Sequence, residues 1–394
     1  MGNTTLEKTA QAEKKANLNM KQYGMMLALI AVYIIFAVIT GGKNLSPMNI
    51  NSLIMQNGYV VILAVGMLLC VLTGNVDLGV GSVVASCAAV AGTLIVDFGA
   101  PTPVAMLASL AVGTLFGMFV GFFVAKLEIP PFIVTLATML MGRGICYVIL
   151  KSQTKGPLPP SYNWISTGFL PTVKVGGVDM ISMVVALVAV ALVFLSDFKS
   201  MAVNKKHGLP VIPMWQAVAK DAVISAIILF FFYKLACHNG IPVLLILMLA
   251  VVCIYQFLTT KTVAGRQIYA MGGNAKAAKL SGINTQKVFF WVYANMGLLC
   301  GLAGIVLSAR NASATPKAGD GFEMDAIASC YIGGAATSGG IGTVIGAVVG
   351  AFIMGILNNG MSLAGFDTNV QKIVKGAVLL GAVTVDLLSK RKKG

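Results

Sequence analysis

Long apolar segments recur along the whole sequence, separated by short segments that carry most of the lysines. Ile241–Leu258 and Val288–Leu307 are typical, and an α-helix needs about 20 such residues to cross the hydrocarbon core of a bilayer. Only 10% of the residues are charged, against about 25% in soluble domains. The sequence therefore predicts an all-α, polytopic integral membrane protein with about 10–12 transmembrane or re-entrant helices.

The positive charge of the chain is concentrated between the apolar segments. The formal net charge is +15, and the lysines cluster in Lys8–Lys21, Lys199–Lys206, Lys261–Lys287 and Lys390–Lys393. Basic loops stay on the cytoplasmic side of a membrane, whereas a nucleic-acid-binding domain presents its basic residues on a soluble face. The pattern predicts cytoplasmic N- and C-termini and no nucleic-acid partner.

The sequence divides into a tail and one membrane domain. Residues 1–22 are polar and basic and predict a cytoplasmic tail, and residues 23–394 predict a single transmembrane domain. About twelve apolar crossings would return the basic C-terminal residues to the side of the tail, and about ten full spans with two partial ones fit equally. Arg143 falls inside an apolar segment, so we expect it to face protein or a cavity.

Glycines interrupt two apolar regions, one near each end of the chain: Gly74–Ser82, which contains Asp77, and Gly333–Gly342. A carboxylate at the centre of a bilayer costs about 2.5–3.5 kcal/mol on insertion scales, so Asp77 needs partners. Two interpretations stay open. Either Asp77 lines a path at a broken or re-entrant element, or it caps a helix after a plain cytoplasmic turn. Interrupted segments in both halves also suggest an inverted repeat.

Gly265–Asn284 is a polar, basic segment between two apolar segments, and we expect it to lie in the cytoplasm. Asn274 can cap a short helix, Ala275–Leu280, which Ser281 and Gly282 would end. A short helix with a narrow apolar face suits insertion into a groove of another protein. The segment is therefore either a docking helix for a soluble partner or an ordinary positive-inside loop.

The sequence shows no motif for covalent chemistry or for binding a nucleotide. It has no GxxxxGK[ST] cradle for phosphates, and its two histidines, His207 and His238, are far apart. We therefore predict no catalytic residue, no metal site and a transport protein rather than an enzyme. Few acidic residues fall inside apolar segments, which favours energy from another chain over coupling to an ion gradient.

Several stretches resemble the permease subunits of ABC importers for ribose, galactose, xylose and related sugars. They are GRQIYAMGGNAKAAKLSGIN (Gly265–Asn284), ILAVGMLLCVLTGNVDLGVGS (Ile62–Ser82), FEMDAIASCYIGGAATSGGIGTVIGAVVGA (Phe322–Ala351) and the region Asn358–Asp386. The resemblance covers most of the chain. It implies that residues 179–237 are an extra helix pair, and that residues 259–287 form a cytoplasmic loop to which the ATPase docks.

The resemblance also implies the partners and the roles of individual residues. The chain would be the permease of an ATP-driven importer in the bacterial inner membrane, for a monosaccharide of the xylose, galactose, arabinose or glucose class. It would hold no cofactor, because a cytoplasmic ABC ATPase binds the ATP and Mg²⁺. The other expected partners are an extracytoplasmic sugar-binding protein, a second permease copy in a homodimer and the lipid bilayer.

Two sets of site residues follow. The docking set is Asn274, Ala275, Lys276, Ala277, Ala278, Lys279, Leu280, Ser281 and Gly282. The translocation-path set is Asp77, Ser82, Thr337, Ser338, Asn358 and Asn359. The alternatives are a related ABC permease for nucleosides or branched-chain amino acids and, from another class, an ion-coupled carrier or a channel.

Overall fold

The computed structural model describes residues 24–207 and 213–391, most of which are helical. The predicted tail, residues 1–22, lies outside the described residues. The helices are α1 (Gly24–Ile39), α2 (Pro47–Leu72), α3 (Val80–Val96), α4 (Thr102–Ala125), α5 (Pro131–Leu150), α6 (Pro160–Thr167), α7 (Met180–Lys206), α8 (Met214–Ala236), α9 (Val243–Lys261), α10 (Val263–Gly273), α11 (Ala275–Leu280), α12 (Thr285–Asn311), α13 (Phe322–Ile332), α14 (Val344–Leu363) and α15 (Thr368–Arg391). A 3₁₀ turn spans Lys43–Leu45, and strands β1 (Lys174–Val175) and β2 (Val178–Asp179) form a small antiparallel hairpin.

Seven of the described helices are long and apolar enough to cross a membrane: α2, α4, α5, α7, α9, α12 and α14. The helix α2 lies at the centre, and 83% of its most apolar 18-residue stretch is buried inside the protein. Local chemistry sets its start, because Ser46 accepts a hydrogen bond from the backbone N–H of Asn49 and Pro47 occupies the first turn. Its end coincides with Gly74, which has a φ of +80°.

The long helices run between two ends of the bundle. The α11 end carries the short helix α11, the last turn of α2 and the start of α12, and the far end carries the start of α2 and the last turn of α12. The helix α13 covers only half of this distance. Its first residue, Phe322, stacks on Tyr59 with the ring centroids 4.1 Å apart. Tyr59 is the thirteenth of the 26 residues of α2. The helix α13 therefore begins at mid-depth and runs to the α11 end.

The packing of the helices is reciprocal between two halves of the chain. The helix α4 packs against α12, and α14 packs against α2. The helix α3 packs against α4 and α5, just as α13 packs against α14 and α15. Exchanging α2–α5 for α12–α15 thus reproduces the set of neighbours. This is the arrangement that the inverted-repeat hypothesis predicts, with α3 and α13 as its two half-length members.

Glycines bring the backbones of α4 and α12 into direct contact. A Cβ atom added to Gly117 would lie 2.3 Å from the carbonyl oxygen of Tyr293, and one added to Gly297 would lie 2.1 Å from the carbonyl oxygen of Gly113. The hydroxyl of Ser109 donates to the carbonyl oxygen of Gly301, at 3.1 Å. Small residues at i and i+4 allow this approach, which replaces the hydrophobic driving force that is missing between helices in lipid.

The hairpin β1–β2 leads into α7 through a single carboxylate. The oxygens of Asp179 accept hydrogen bonds from the backbone N–H groups of Val173 (2.9 Å) and Ser182 (3.0 Å) and from the Ser182 hydroxyl (2.5 Å). Burial alone raises the pKa of Asp179, but the hydrogen bonds from Ser182, Val173 and Ile181 outweigh it and lower the pKa below its ordinary value. The helices α7 and α8 then pack against each other, and an ion pair joins Asp197 to Lys220.

Several helix bounds differ from those that the sequence suggests. The segment 263–273, which we expected to be part of a loop, is the helix α10. Thr262 caps its start, and close packing of Gly272 against Leu72 holds its end in place. Asn358 and Asn359 lie inside α14, beyond the apolar residues that begin it. The helices α7 and α8 extend well beyond the apolar residues 181–195 and 222–236. Polar residues continue these helices because neighbouring helices or water can satisfy their side chains.

Candidate functional site

Asp77 lies in the extended segment between α2 and α3 and is buried. Its Oδ1 atom accepts a hydrogen bond of 2.8 Å from the backbone N–H of Gly79. Gly79, not Asp77, is the residue that precedes α3, and no side chain caps this helix. The interpretation of Asp77 as a helix cap is therefore wrong. Its carboxylate accepts a hydrogen bond from the N–H two residues later in the chain, as in an Asx turn.

The two half-length helices begin side by side. A Cβ atom added to Gly81 in α3 would lie 2.1 Å from the carbonyl oxygen of Gly319 and 2.7 Å from Oε2 of Glu323. Gly319 has a φ of +74° and precedes α13, and Glu323 lies in the first turn of α13. Glycine is needed at both contact positions because any side chain would separate the two backbones. Broken helices that meet near the middle of the membrane mark the binding region in many transporters.

Arg143 fixes the turn that precedes α13. Its Nη1 atom donates to the carbonyl oxygens of Pro316 (2.9 Å) and Ala318 (2.6 Å). The expectation that Arg143 faces protein is confirmed, and its partner is irregular backbone rather than a carboxylate. The helix α5 thereby contacts both the turn before α13 and the start of α3, because Gly142 also packs against Ser82.

The predicted path residues fall into three places. Asp77 and Ser82 lie at the start of α3, and Ser82 is buried against α5. Thr337 and Ser338 lie in the turn between α13 and α14 at the α11 end. The backbone N–H and the hydroxyl of Thr337 there each lie 3.4 Å from Oδ2 of Asp386. The structure does not bring Asp77 and Ser82 together with Thr337 and Ser338, and Asn359, of the third pair, lies at the far end.

The third pair, Asn358 and Asn359, lies in the second half of α14. Asn359 borders a polar cavity of about 550 Å³ at the far end. Its side chain exchanges two hydrogen bonds of 3.0 Å with Asn49, and its Nδ2 atom lies 3.3 Å from Oε1 of Gln56. The cavity lies between α2, α12 and α14 and is lined by Lys43, Ser46, Met48, Asn49, Ser52, Gln56, Arg310, Asn359, Ser362 and Leu363. Neutral amides, hydroxyls and two cations thus surround a space large enough for a small polar solute.

The sequence contains a signal for this cavity in the polar residues of α2. Asn49, Ser52 and Gln56 are spaced by three and four residues, so they share one face of α2. A polar stripe on an otherwise apolar spanning helix faces protein or a water-filled cavity. Arg310 could not have been found in this way, because it occupies the last turn of α12, where a basic residue is common.

Charged pairs tie α15 to the start of α13. Lys375 lies 3.0 Å from the buried Asp325, and Lys372 lies 2.9 Å from the exposed Asp320. These pairs set the position of α15 relative to the half-length helix α13.

The helix α11 has the bounds that the sequence predicts. Asn274 Oδ1 accepts a hydrogen bond of 3.0 Å from the N–H of Ala277. At the other end, Gly282 has a φ of +86°, its N–H donates to Lys279, and the N–H of Ile283 donates to Ala278. This pair of bonds is a Schellman motif, which requires a residue in the left-handed conformation at Gly282.

The exposed surface of α11 combines one apolar side chain with two cations. Leu280 is 90% exposed, and Lys276 and Lys279 are exposed, whereas Ala278 is buried against the protein. A large apolar side chain that projects from a basic surface suits a groove on a partner.

The helix α10 links α11 to the core. A Cβ atom added to Gly272 would lie 1.6 Å from the carbonyl oxygen of Leu72, the last residue of α2. The N–H of Gly340, in the turn between α13 and α14, donates to the same oxygen at 2.9 Å. The hydroxyl of Tyr269 donates to the carbonyl oxygen of Gly342 at 2.7 Å. A displacement of α11 would therefore act directly on α2 and on the turn that holds Thr337 and Ser338.

Comparison with known proteins places this architecture in one family. Residues 49–383 match the family described as the branched-chain amino acid transport system / permease component. The xylose transport system permease protein of Haemophilus influenzae is 36% identical over 382 residues, which cover 96% of this chain and 99% of that protein. The corresponding protein of Escherichia coli K12 is 36% identical over 379 residues, covering 95% and 94%.

The ribose import permease protein of Escherichia coli K12 is 34% identical over 364 residues, covering 91% of this chain and 92% of that protein. No solved structure matches the chain. The predicted resemblance to permease subunits and the predicted polytopic helical fold are confirmed, and the chain is a transport subunit rather than an enzyme. The chain belongs to the family of branched-chain amino acid transport system permease components.

Proposed function

We propose that this chain is the membrane permease of an ATP-driven importer for monosaccharides. The proposal rests chiefly on the similarity over nearly the full length to xylose and ribose permeases. In this function the permease performs no covalent chemistry. It passes a sugar from an extracytoplasmic binding protein through the bilayer of the cell membrane, and a cytoplasmic ATPase with its own ATP and Mg²⁺ supplies the energy. The α11 end then faces the cytoplasm together with both termini.

The far-end cavity favours a sugar over an amino acid. Its amides and hydroxyls can each donate or accept hydrogen bonds, which matches the many hydroxyl groups of a monosaccharide. Its two charged residues, Lys43 and Arg310, are cations, and among the residues that the structure describes no acidic side chain lines it. An amino acid would bring an ammonium group that has no carboxylate to pair with there.

The helix α11 is the proposed contact with the ATPase. The set Asn274, Ala275, Lys276, Ala277, Ala278, Lys279, Leu280, Ser281 and Gly282 supplies a capped helix with one projecting leucine. The contacts of α10 with Leu72 and with the 333–343 turn offer a rigid connection from that helix to the core. Closure of the ATPase would thereby move the α11 end of α2 against the half-length helix α13.

We further propose that two copies of the chain enclose the path. In one copy, Asp77 and Ser82 lie near mid-depth, and Thr337, Ser338, Asn358 and Asn359 lie toward the two ends. The helices α5 and α15 occupy equivalent positions in the two halves, and both leave many apolar side chains exposed. A second copy packed on these helices would place the two mid-depth regions opposite each other.

The decisive experiment is reconstitution of the permease with its native ATPase and binding protein. ATP hydrolysis is measured with xylose, ribose, galactose, arabinose, glucose, nucleosides and branched-chain amino acids. We expect a monosaccharide to stimulate hydrolysis and to accumulate inside the vesicles. Stimulation by amino acids or nucleosides alone would assign the related permease function. Accumulation by the permease without the ATPase would show an ion-coupled carrier.

The docking role is tested in the same assay with Lys279→Glu, which reverses a charge on α11. Lys126→Glu is the matched control, because Lys126 is exposed at the same end of the bundle but lies outside α10 and α11. We expect Lys279→Glu to lower uptake and sugar-stimulated hydrolysis together, and Lys126→Glu to leave both unchanged. Equal behaviour of the two variants would contradict the docking role.

A further inference from the structure

A second cavity, of about 540 Å³, lies at the α11 end and takes no part in the proposed path. It is a crevice between the last turns of α9, the helix α10 and the first turns of α12, and Leu69 of α2 forms part of its lining. Leu258, Ile268, Val288 and Val292 give it apolar walls. We call it the α9–α12 crevice.

The crevice also contains a polar group without a partner. Asn295 lines it, and its Oδ1 atom accepts a hydrogen bond from the hydroxyl of Tyr255. Its Nδ2 atom is buried and has no hydrogen-bond partner among the described residues. A buried amide without a partner is unfavourable, so an acceptor from a bound molecule would be favourable there.

The charge of the crevice has one sign. Lys287 lines it and is exposed, and none of the described residues that line it is acidic. Gln267 and Asn284 add further amide donors. The lining also includes Trp291, which is 58% exposed, and tryptophan is typical of the level of lipid headgroups. The site therefore combines a cation and several amides with an apolar channel.

We propose that the α9–α12 crevice binds an anionic phospholipid. The helices α9 and α12 are both long and apolar enough to cross the membrane, so the crevice between their ends lies at the edge of one leaflet. The phosphate and the glycerol headgroup would face Lys287 and the amides, and an acyl chain would follow the apolar walls. A free anion would match Lys287 but would leave those walls without a ligand.

The bound lipid would connect segments on both sides of α11. Gln267 and Ile268 belong to α10, and Gly282 and Asn284 follow α11 directly. A lipid that contacts all of them would restrain α11 relative to α9 and α12. The binding of the lipid itself does not depend on the transported solute.

The test uses the full chain in nanodiscs with Trp291 as the probe. Trp164→Phe and Trp215→Phe remove the two other tryptophans of the chain. The discs contain phosphatidylcholine with a minor fraction of either brominated phosphatidylglycerol or brominated phosphatidylcholine, because bromine quenches tryptophan at short range. We expect the anionic lipid to quench Trp291 more strongly than the zwitterionic lipid at the same fraction.

Two variants and one control locate the effect. Lys287→Gln should lower the preference for the anionic lipid about fivefold. Ala264→Phe, which fills the crevice, should reduce quenching by the anionic lipid to that by the zwitterionic lipid. Lys276→Gln removes an exposed charge of α11 outside the crevice and should change neither result. Equal quenching by the two lipids, or an unchanged preference in Lys287→Gln, would overturn the proposal. Release of quenching by inorganic phosphate would instead assign the site to a free anion.

Discussion

Asn49 and Asn359 are 310 residues apart in the sequence, and their side-chain amides exchange two hydrogen bonds of 3.0 Å each. Asn49 lies in the first turn of α2, and Asn359 lies in the last third of α14. Each amide uses its oxygen as the acceptor and its nitrogen as the donor, so only two amides fit this geometry. The pair therefore fixes the far end of α2 against α14 and forms one wall of the polar cavity.

We expect Asn359→Ala to reduce sugar uptake more than it reduces stability. Hydrogen bonds between membrane helices average about 0.6 kcal/mol, so the free energy of unfolding should fall by about 1 kcal/mol for the lost pair. Uptake should fall severalfold, because Asn49 and Gln56 lose the partner that orients them toward the cavity. Uptake at a low sugar concentration measures the first effect, and thermal unfolding in detergent measures the second. Asn369→Ala, at an exposed asparagine of α15, is the control and should change neither.

The glycine contact between α4 and α12 gives a prediction about stability. Gly117→Ala places a Cβ atom 2.3 Å from the carbonyl oxygen of Tyr293, so the two backbones must separate. We expect it to lower the free energy of unfolding by about 1–3 kcal/mol, as for other overpacked sites. Gly144→Ala on α5 is the matched control, because no atom lies within 4 Å of its added Cβ. Its effect should stay within about 0.5 kcal/mol. Equal unfolding temperatures of the two variants would contradict the close contact.

Helix ends that depend on nearby capping residues and glycines can be predicted from the sequence. The helix α11 was predicted residue by residue because Asn274 and Gly282 act on backbone groups within a few positions of themselves. The helix α3 likewise lies between Gly79 and Asp97, which flank a run of apolar residues. Such signals require no knowledge of the partner helices.

The relationships between distant segments could not be read in the same way. The grouping of Asp77 with Ser82, and the separation of both from Thr337 and Asn359, depends on which helices pack together. The helix α10 was missed because its local composition is weakly apolar, and contacts of Gly272 with Leu72 hold it in place. Tertiary packing overrode the local preference in that segment.

Asp179 gives a prediction about pH. Its pKa is lowered in the folded protein, so its hydrogen bonds add stability at pH values above the ordinary carboxyl pKa of about 3.9. This contribution is lost as the pH falls toward the lowered pKa and the carboxylate binds a proton. Asp179→Asn should therefore destabilise the β1–β2 hairpin at neutral pH, and its difference from the wild type should shrink on acidification.

Hydrogen exchange of the N–H groups of Val173 and Ser182 measures this difference directly, because both donate to Asp179. Asp367→Asn is the control, since Asp367 is exposed and its carboxylate contacts only neighbouring residues of its own turn. A difference between wild type and Asp179→Asn that stays constant from neutral to acidic pH would show that the carboxylate charge is not what holds the hairpin.

The end of α11 gives the sharpest test of how motion reaches the core. Gly282 adopts a φ of +86°, and its N–H donates to the carbonyl oxygen of Lys279. Gly282→Ala strains this conformation by about 1–2 kcal/mol, and Gly282→Pro also removes the donor and cannot adopt a positive φ. We expect Ala to weaken uptake and Pro to abolish it while ATP hydrolysis by the complex continues.

Uptake and hydrolysis are measured together in vesicles that hold equal amounts of inserted permease. Gly273→Ala is the matched control, because Gly273 ends α10 with ample space around an added Cβ, so both activities should persist. Normal uptake in Gly282→Pro would show that the Schellman turn does not transmit motion. Loss of both activities in Gly273→Ala would show that the whole segment tolerates no change. These outcomes would be specific to Gly282, the left-handed residue that joins α11 to α12 and that also lines the α9–α12 crevice.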